Sequence, residues 1–149
     1  MPTVEMAARS NAGLASELRL SVMRLRRRLS NERHPDNALS MGAMAVLGCL
    51  FRNGDNTVGD LAAHERIQPP SMTRIVNSLE EGGYVSRRAH ETDRRQVVVA
   101  LTEQGRTTLL ADRDRRDAWL ACRLEDLSTS ERDLLRRAAP LLERLATSD

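Results

Sequence analysis

The stretch that decides the fold is Ser71–Gly105, which reads SMTRIVNSLEEGGYVSRRAHETDRRQVVVALTEQG. The apolar residues of its first part recur with helical spacing: Met72, Ile75, Val76 and Leu79. A glycine pair then predicts the end of this helix. Two short runs, at 84–89 and 96–101, predict strands joined by a polar connection, and the second run alternates so that Val97, Val99 and Leu101 share one apolar face. We name residues 84–101 the wing and His90–Arg95 the wing tip. The stretch thus offers a duplex two differently shaped surfaces.

A shorter helix is predicted just before this stretch. Thr57 and Asp60 resemble a capping box, with Asp in place of the longer Glu. The apolar side of this helix consists of Val58, Leu61 and Ala62. The sequence Ile67–Pro70 predicts a turn, because proline suits a first helical position, where no amide donor is needed. Two helices joined by a tight turn form a helix-turn-helix.

Helices are also predicted on both sides of this lobe, which we place at 40–101. The apolar positions of the first helix are Leu14, Leu18, Val22, Leu25 and Leu29. The last helix carries leucines on more than one side, so its apolar surface exceeds what one neighbour covers. We therefore expect a single domain, 1–149, in which 13–33 and 103–147 are dimerisation helices. Residues 1–12 are small and polar and are predicted to be a frayed lead-in.

The composition favours a mainly helical protein. Hydrophobic residues make up 40% and charged residues 30% of 149 residues, as in ordinary globular proteins. Only three residues are aromatic, so the core must consist of aliphatic side chains. The net charge is +2, and every basic residue is arginine. Arginine suits phosphate and guanine, although a GC-rich genome explains the same usage. The charge is compatible with a nucleic-acid partner without requiring one.

Other classes of protein and site find little support. Cys49 and Cys122 lack metal spacing and are predicted to be small core residues in a reducing cytoplasm, with a redox switch as the alternative. The three histidines also lack zinc spacing, so we expect no metal and no cofactor. No segment approaches about 18 apolar residues, which predicts a cytoplasmic protein without a membrane partner. No catalytic constellation is recognisable, which argues against an enzyme.

Four motifs, in this order and spacing, carry a resemblance to a known family: Ser71-x-Thr73-Arg74, Leu79-Glu80-x-x-Gly83-Tyr84-Val85-x-Arg87, Asp93-Arg94-Arg95 and Leu101-Thr102-x-x-Gly105. Together they resemble the winged helix-turn-helix core of MarR-type transcriptional regulators. The resemblance implies a mainly α fold with a small β-wing, flanked by N- and C-terminal dimerisation helices. It also implies a homodimer that binds double-stranded DNA and a small aromatic or lipophilic effector. No motif marks the effector pocket.

The resemblance places the helix of Ser71–Gly105 in the major groove, and the residue types suggest what each side chain contacts. Arg74 can bind guanine O6 and N7, Asn77 can pair with adenine, and the methyl group of Thr73 can meet thymine. Ser71, near the helix N-terminus, is better placed for a phosphate.

The resemblance also places the wing in the adjacent minor groove. Arg94 and Arg95 at the wing tip suit a narrow groove, which concentrates negative potential. One of them can instead pair with Asp93, to which the family pattern gives a role in bracing the wing. The sequence does not decide which arginine points outward. Of Arg87 and Arg88, which alternate along the first strand, at most one faces phosphate, and we name Arg87.

The leading hypothesis is a homodimeric, sequence-specific DNA-binding regulator, and specifically a repressor released by a small-molecule effector. Two copies of the reading helix on a two-fold axis predict a pseudo-palindromic operator with half-sites one helical turn apart. The alternative is a winged-helix protein-interaction module without DNA readout, because one fold supports both roles.

Overall fold

The computed structural model describes residues 10–148, which form six helices and three strands. The helices are α1 (Asn11–Ser30), α2 (Met41–Asn53), α3 (Val58–His64), α4 (Pro69–Glu81), α5 (Glu103–Glu125) and α6 (Thr129–Thr147). The strands are β1 (Asn56–Thr57), β2 (Val85–Ala89) and β3 (Val97–Leu101), in the antiparallel order β1-β3-β2. The predicted mainly α fold with a small β-wing is confirmed. Most of the predicted lead-in, residues 1–9, lies outside the described residues.

The chain divides into two compact units. One unit is Arg33–Asp114, which extends the predicted 40–101 segment at both ends and is the lobe from here on. The other, the helical unit, consists of residues 10–32 and 115–148 of the described chain. Helix α5 therefore begins in the lobe and ends in the helical unit. All buried hydrophobic residues of the described chain lie between Ala43 and Leu109, inside the lobe.

The core of the lobe is built from the faces that the periodicity predicts. Helix α2 contributes Val46, Leu47 and Leu50, and α4 contributes Met72, Val76 and Leu79, each at most 3% exposed. Ile75, which belongs to the predicted apolar stripe, and Phe51 are only half-buried and pack against the edge of this core. The Phe51 ring lies 5.1 Å from the guanidinium carbon of Arg106 and 4.7 Å from that of Arg113. Two guanidinium groups thus lie over the ring where the aliphatic core ends.

Side-chain caps set the start of most helices. The Ser40 and Thr57 hydroxyls accept the amide N–H groups of Ala43 and Asp60, each at 3.1 Å. At the start of α6 the full capping box is present between Ser128 and Glu131. These bonds satisfy amides that have no partner inside the helix.

Four details differ from the sequence reading. Strand β1 was not predicted, because two residues are too short to show a period, and Thr57 also serves as a helix cap. Val97, expected on the buried side of its strand, is 37% exposed. Cys49 is buried as expected, but the prediction of a core position for Cys122 is wrong, since that residue is exposed. Helix α1 ends at Ser30, three residues before the end of the predicted 13–33 segment. At its end the Asn31 N–H bonds the Arg28 carbonyl, which tightens the last turn.

A buried carboxylate holds the loop that enters the lobe. Asp112 of α5 is fully buried, and its oxygens accept the His34 amide N–H at 2.9 Å and the Asn37 side-chain N–H at 2.7 Å. The Arg33 Nε atom lies 3.7 Å from the same carboxylate. These partners compensate part of the cost of burying the charge. The loop at the start of the lobe is therefore fixed to α5.

Candidate nucleic-acid interface

Helix α4 has two sharply different faces. Its buried stripe consists of Met72, Val76 and Leu79, while Thr73 and Arg74 on the other side are exposed. The rigid core behind the stripe fixes the orientation of the exposed side chains. The Arg74 side chain makes no hydrogen bond or ion pair with any residue in 10–148. Its guanidinium is therefore available to an external acceptor.

The start of α4 lacks the free amides that commonly bind phosphate. Pro69 and Pro70 occupy the first two positions and have no N–H, and no side chain caps the helix. The next amide, that of Ser71, donates to the Gln68 carbonyl at 3.0 Å. A phosphate contact by Ser71 would therefore use its hydroxyl rather than the backbone. Thr73 has its hydroxyl turned to the Pro69 carbonyl at 3.0 Å, which leaves the methyl group for an apolar base edge.

Asn77 and Arg87 belong to one hydrogen-bonded network. The Arg87 guanidinium donates to both carboxylate oxygens of Glu80, from Nε and Nη2, at 2.9 Å each. Its Nη1 donates to Asn77 Oδ1 at 2.8 Å. Asn77 and Glu80 lie three residues apart on one side of α4, whereas Arg87 lies on β2. The network thus ties the helix to the first strand of the wing.

This network shifts the pKa values of both charged groups in the direction expected of an ion pair. The hydrogen bond from Arg87 is the main reason that the pKa of Glu80 lies below its ordinary value. In turn, the Glu80 hydrogen bond raises the pKa of Arg87. Because both side chains reach solvent, the pair contributes geometry more than stability.

The end of α4 is bonded to the wing and to α5 at one junction. The Tyr84 N–H bonds the Leu79 carbonyl at 2.9 Å, and the Gly83 N–H bonds the Glu80 carbonyl at 3.0 Å. This is a Schellman motif, which requires the positive φ of 82° that Gly83 adopts. We define the junction as Gly83, Tyr84, Thr102 and Gly105.

The motif Leu101-Thr102-x-x-Gly105 completes that junction. The Thr102 hydroxyl donates to the Gly83 carbonyl at 2.7 Å and accepts the Gly105 N–H at 3.1 Å. A Cβ atom on Gly105 would lie 2.1 Å from the Tyr84 carbonyl oxygen, far inside contact distance. Only glycine allows α5 to approach the start of the wing this closely.

The wing tip is held by side-chain-to-backbone hydrogen bonds. His90 Nδ1 accepts the amide N–H groups of Thr92 at 3.3 Å and Asp93 at 3.1 Å. Asp93 Oδ1 accepts the Arg95 amide N–H at 3.1 Å and lies 3.7 Å from the Arg95 Nε. The Arg94 side chain is exposed and has no such bond to the described part of the chain. The two arginines that the sequence leaves equivalent therefore have different surroundings.

The comparisons with known proteins agree with this architecture. Residues 39–97 match the family model described as "MarR family". The chain is 47% identical over 133 residues to an uncharacterized HTH-type transcriptional regulator, Mb0904, of Mycobacterium bovis, covering 89% of this chain and 92% of the relative. The chain belongs to the MarR family. Its family and the names of its relatives identify a transcriptional regulator and not an enzyme.

Solved structures show the same MarR-family fold. A putative transcriptional regulator from Pseudomonas aeruginosa has a TM-score of 0.80 and 37% identity, over 91% of this chain and 96% of that one. FabT of Streptococcus pneumoniae, whose structure was solved in complex with DNA, has a TM-score of 0.67 at 21% identity, over 89% and 94% of the two chains. At that identity the second likeness is evidence of fold alone.

Three supporting residues were not identified from the sequence. Glu80 stands in the second motif without an assigned role, and His90 was predicted only not to bind a metal, yet each orients other groups of the interface. Asp55, before β1, accepts a hydrogen bond from Arg88 at 2.7 Å and so fixes the arginine that is not assigned to DNA. The only sequence signal is opposite charge, which many surface pairs share.

Within residues 10–148, no helix is both long and apolar enough to cross a membrane. The same stretch contains no group of three or more His, Cys, Asp or Glu residues arranged to hold a metal ion.

Proposed function

We propose that the protein is a cytoplasmic, homodimeric regulator that binds a pseudo-palindromic operator and represses transcription until a small aromatic or lipophilic effector releases it. The observation that carries DNA recognition is the division of α4 into a buried stripe and an exposed polar face beside an arginine-tipped wing. Family membership supports the same role. Release by an effector rests on the family resemblance, and no residue is assigned to it.

Each named side chain has a role in this proposal. Helix α4 enters the major groove, where Arg74 contacts guanine and Asn77 contacts a neighbouring base edge. Thr73 lies beside a thymine methyl, and the Ser71 hydroxyl bonds a phosphate. The wing tip approaches the minor groove.

The surroundings of the wing arginines support a different role for each one in DNA binding. Arg94 is the arginine that enters the minor groove, because no described residue holds its guanidinium. Asp93 braces the wing tip by holding the Arg95 amide, and Arg95 contributes a more general attraction to phosphate. Arg87 acts on DNA mainly through Asn77, because its guanidinium is already bonded inside the protein.

The dimer is supported by the apolar side chains that the isolated chain leaves in water. In α6 these are Leu134, Leu135, Leu141, Leu142 and Leu145, each at least 41% exposed. In α1 they are Leu14, Leu20, Val22, Met23 and Leu25, each at least 43% exposed. Contiguous apolar surface of this kind marks an interaction site. A second copy of the same chain is the partner that the family resemblance implies.

The test is selection of bound duplexes from a random library by the wild-type protein, followed by titration with the selected operator. We expect a two-fold symmetric site and a log–log salt slope of about −0.9 for each phosphate contacted. Arg74→Ala should cost about 1–3 kcal/mol and relax preference at one base pair of each half-site. Selection of no sequence, with no binding to random duplex at low salt, would favour the protein-interaction module instead.

A further inference from the structure

The contact between Arg87 and Asn77 fixes which end of the Asn77 amide faces the protein. A guanidinium carries only N–H donors and has no acceptor. The Asn77 atom that lies 2.8 Å from Arg87 Nη1 is therefore the oxygen, Oδ1, which accepts this hydrogen bond. The Nδ2 group, with two N–H donors, is on the other side of the amide.

Glu80 is the residue that keeps Arg87 in this position. Two charge-assisted hydrogen bonds at 2.9 Å grip the guanidinium from Nε and Nη2, which leaves Nη1 directed at Asn77. Bidentate pairs of this kind restrict geometry as well as adding attraction. Without Glu80, a half-exposed arginine beside DNA would turn to a phosphate, and the amide could rotate freely.

The orientation of the amide has a consequence for base preference. In the major groove guanine offers acceptors at N7 and O6, adenine at N7 and thymine at O4, whereas cytosine offers only the N4 donor. An amide held with its N–H donors outward can bond any base with an acceptor. It has no acceptor directed toward the N4 donor of cytosine.

Resting on the proposed function, we propose that Glu80 is a positioning residue for operator selectivity: through Arg87 it holds the Asn77 amide with its donors toward the major groove, so that the contacted base is any base except cytosine. Glu80 itself touches no base. The selectivity therefore depends on a carboxylate that an inventory of DNA contacts would omit.

The experiment starts from the operator that the wild-type protein selects from a random duplex library. Asn77→Ala identifies the base pair that Asn77 reads, as the position where preference is lost. The Glu80→Gln variant is then titrated against duplexes carrying each of the four bases there. We expect discrimination against cytosine to fall about threefold to tenfold, because a released amide can turn its oxygen outward. Arg87→Ala should relax the same position.

Glu81→Gln is the matched control, because Glu81 is an exposed neighbour that makes no hydrogen bond or ion pair with the described residues. It removes the same charge and should raise affinity for all duplexes without changing preference. In the Asn77→Ala background, Glu80→Gln should have no further effect on preference at that position. This non-additivity separates positioning through Asn77 from a general effect of charge.

The outcomes separate the two proposals. If Glu80→Gln alters preference no more than Glu81→Gln, or alters it at a different base pair, this inference is overturned while sequence-specific binding stands. If the wild-type protein selects no sequence, the proposed function is contradicted, and this inference is contradicted with it because it depends on that function.

Discussion

The lobe and the helical unit place their apolar side chains in opposite environments. The lobe buries a continuous core in which Leu47, Leu61 and Met72 are fully inaccessible. By contrast, α1 and α6 bury none of their described residues in the isolated chain. The lobe therefore supplies its own core, whereas in the proposed dimer a second copy would cover the leucines of the helical unit. Four experiments test the two units separately, from the largest expected effect to the smallest.

The largest effect is expected from charge placed on the apolar side of α6. The double substitution Leu141→Glu and Leu145→Glu replaces side chains that are 50% and 66% exposed in the isolated chain. If a second copy covers them, the dimer dissociation constant should rise at least about 100-fold, since each buried charge would lack a partner. Sedimentation equilibrium measures the change.

The control for that experiment is Arg136→Glu, which changes charge on the polar side of the same helix, where Arg136 pairs with Asp133. It should leave the dimer intact. If the double variant keeps the mass of the wild-type protein, the partner does not cover these leucines.

The second effect concerns the lobe and its junction. Gly105→Ala places a Cβ atom 2.1 Å from the Tyr84 carbonyl oxygen, so either α5 or the start of the wing must shift. We expect the free energy of unfolding to fall by about 2–3 kcal/mol, as measured by urea denaturation.

Gly59→Ala on α3 is the control, since its added methyl would lie 3.9 Å from the nearest atom, the Thr57 hydroxyl oxygen. It should be neutral or stabilise by up to about 1 kcal/mol, because alanine favours the helix. Equal effects of the two substitutions would show that the junction tolerates a side chain.

The third effect is the difference between the two wing arginines. Arg94→Ala should weaken operator binding about tenfold, and Arg95→Ala about threefold, because only Arg95 lies beside Asp93. Fluorescence anisotropy titrations at fixed salt give both values. Neither variant should change the dimer, because both side chains belong to the lobe. The reverse order of affinities would assign the minor groove to Arg95.

The smallest effect is the pH dependence of stability that arises from ionisation of the Glu80 carboxyl group. Its pKa is lowered from the ordinary 4.5 mainly by the Arg87 hydrogen bond. A lowered pKa means that the contribution of Glu80 to stability is fully present above that ordinary value and is lost as the pH falls through the depressed value. Carboxyl NMR titration should show a midpoint below 4.5, which Arg87→Ala returns toward 4.5. An unchanged midpoint in that variant would mean that the pair does not persist in solution.

The sequence predicted those parts of the fold that show periodic apolar residues or a helix-capping residue. The stripe of α4 and the cap at Thr57 are confirmed, because helical spacing and capping residues are local signals. Strand β1 was missed, since its pairing with Val98 and Val99 is a tertiary contact without a local pattern. Cys122 was misjudged because apolar spacing does not show which side of a helix lacks a neighbour.

The candidate interface was predictable by residue type but not by role. A motif located Arg87, and the polar side of the predicted helix located Asn77, yet these patterns could not show that the two side chains, ten positions apart, bond each other. Nor could they distinguish Arg94 from Arg95, whose difference arises from the turn at Asp93. The first bond depends on how α4 packs beside β2, and the second depends on the conformation of the turn at the wing tip. Residue types alone show neither.

The division of α4 into two faces has a consequence for how such regulators diverge. Substitutions at Thr73 or Arg74 change groups that the core does not contact, so they should alter operator preference at almost no cost in stability. After gene duplication, one copy could therefore acquire new target promoters through few, individually tolerated mutations. The fully buried Met72, Val76 and Leu79 keep the scaffold constant while the regulon changes.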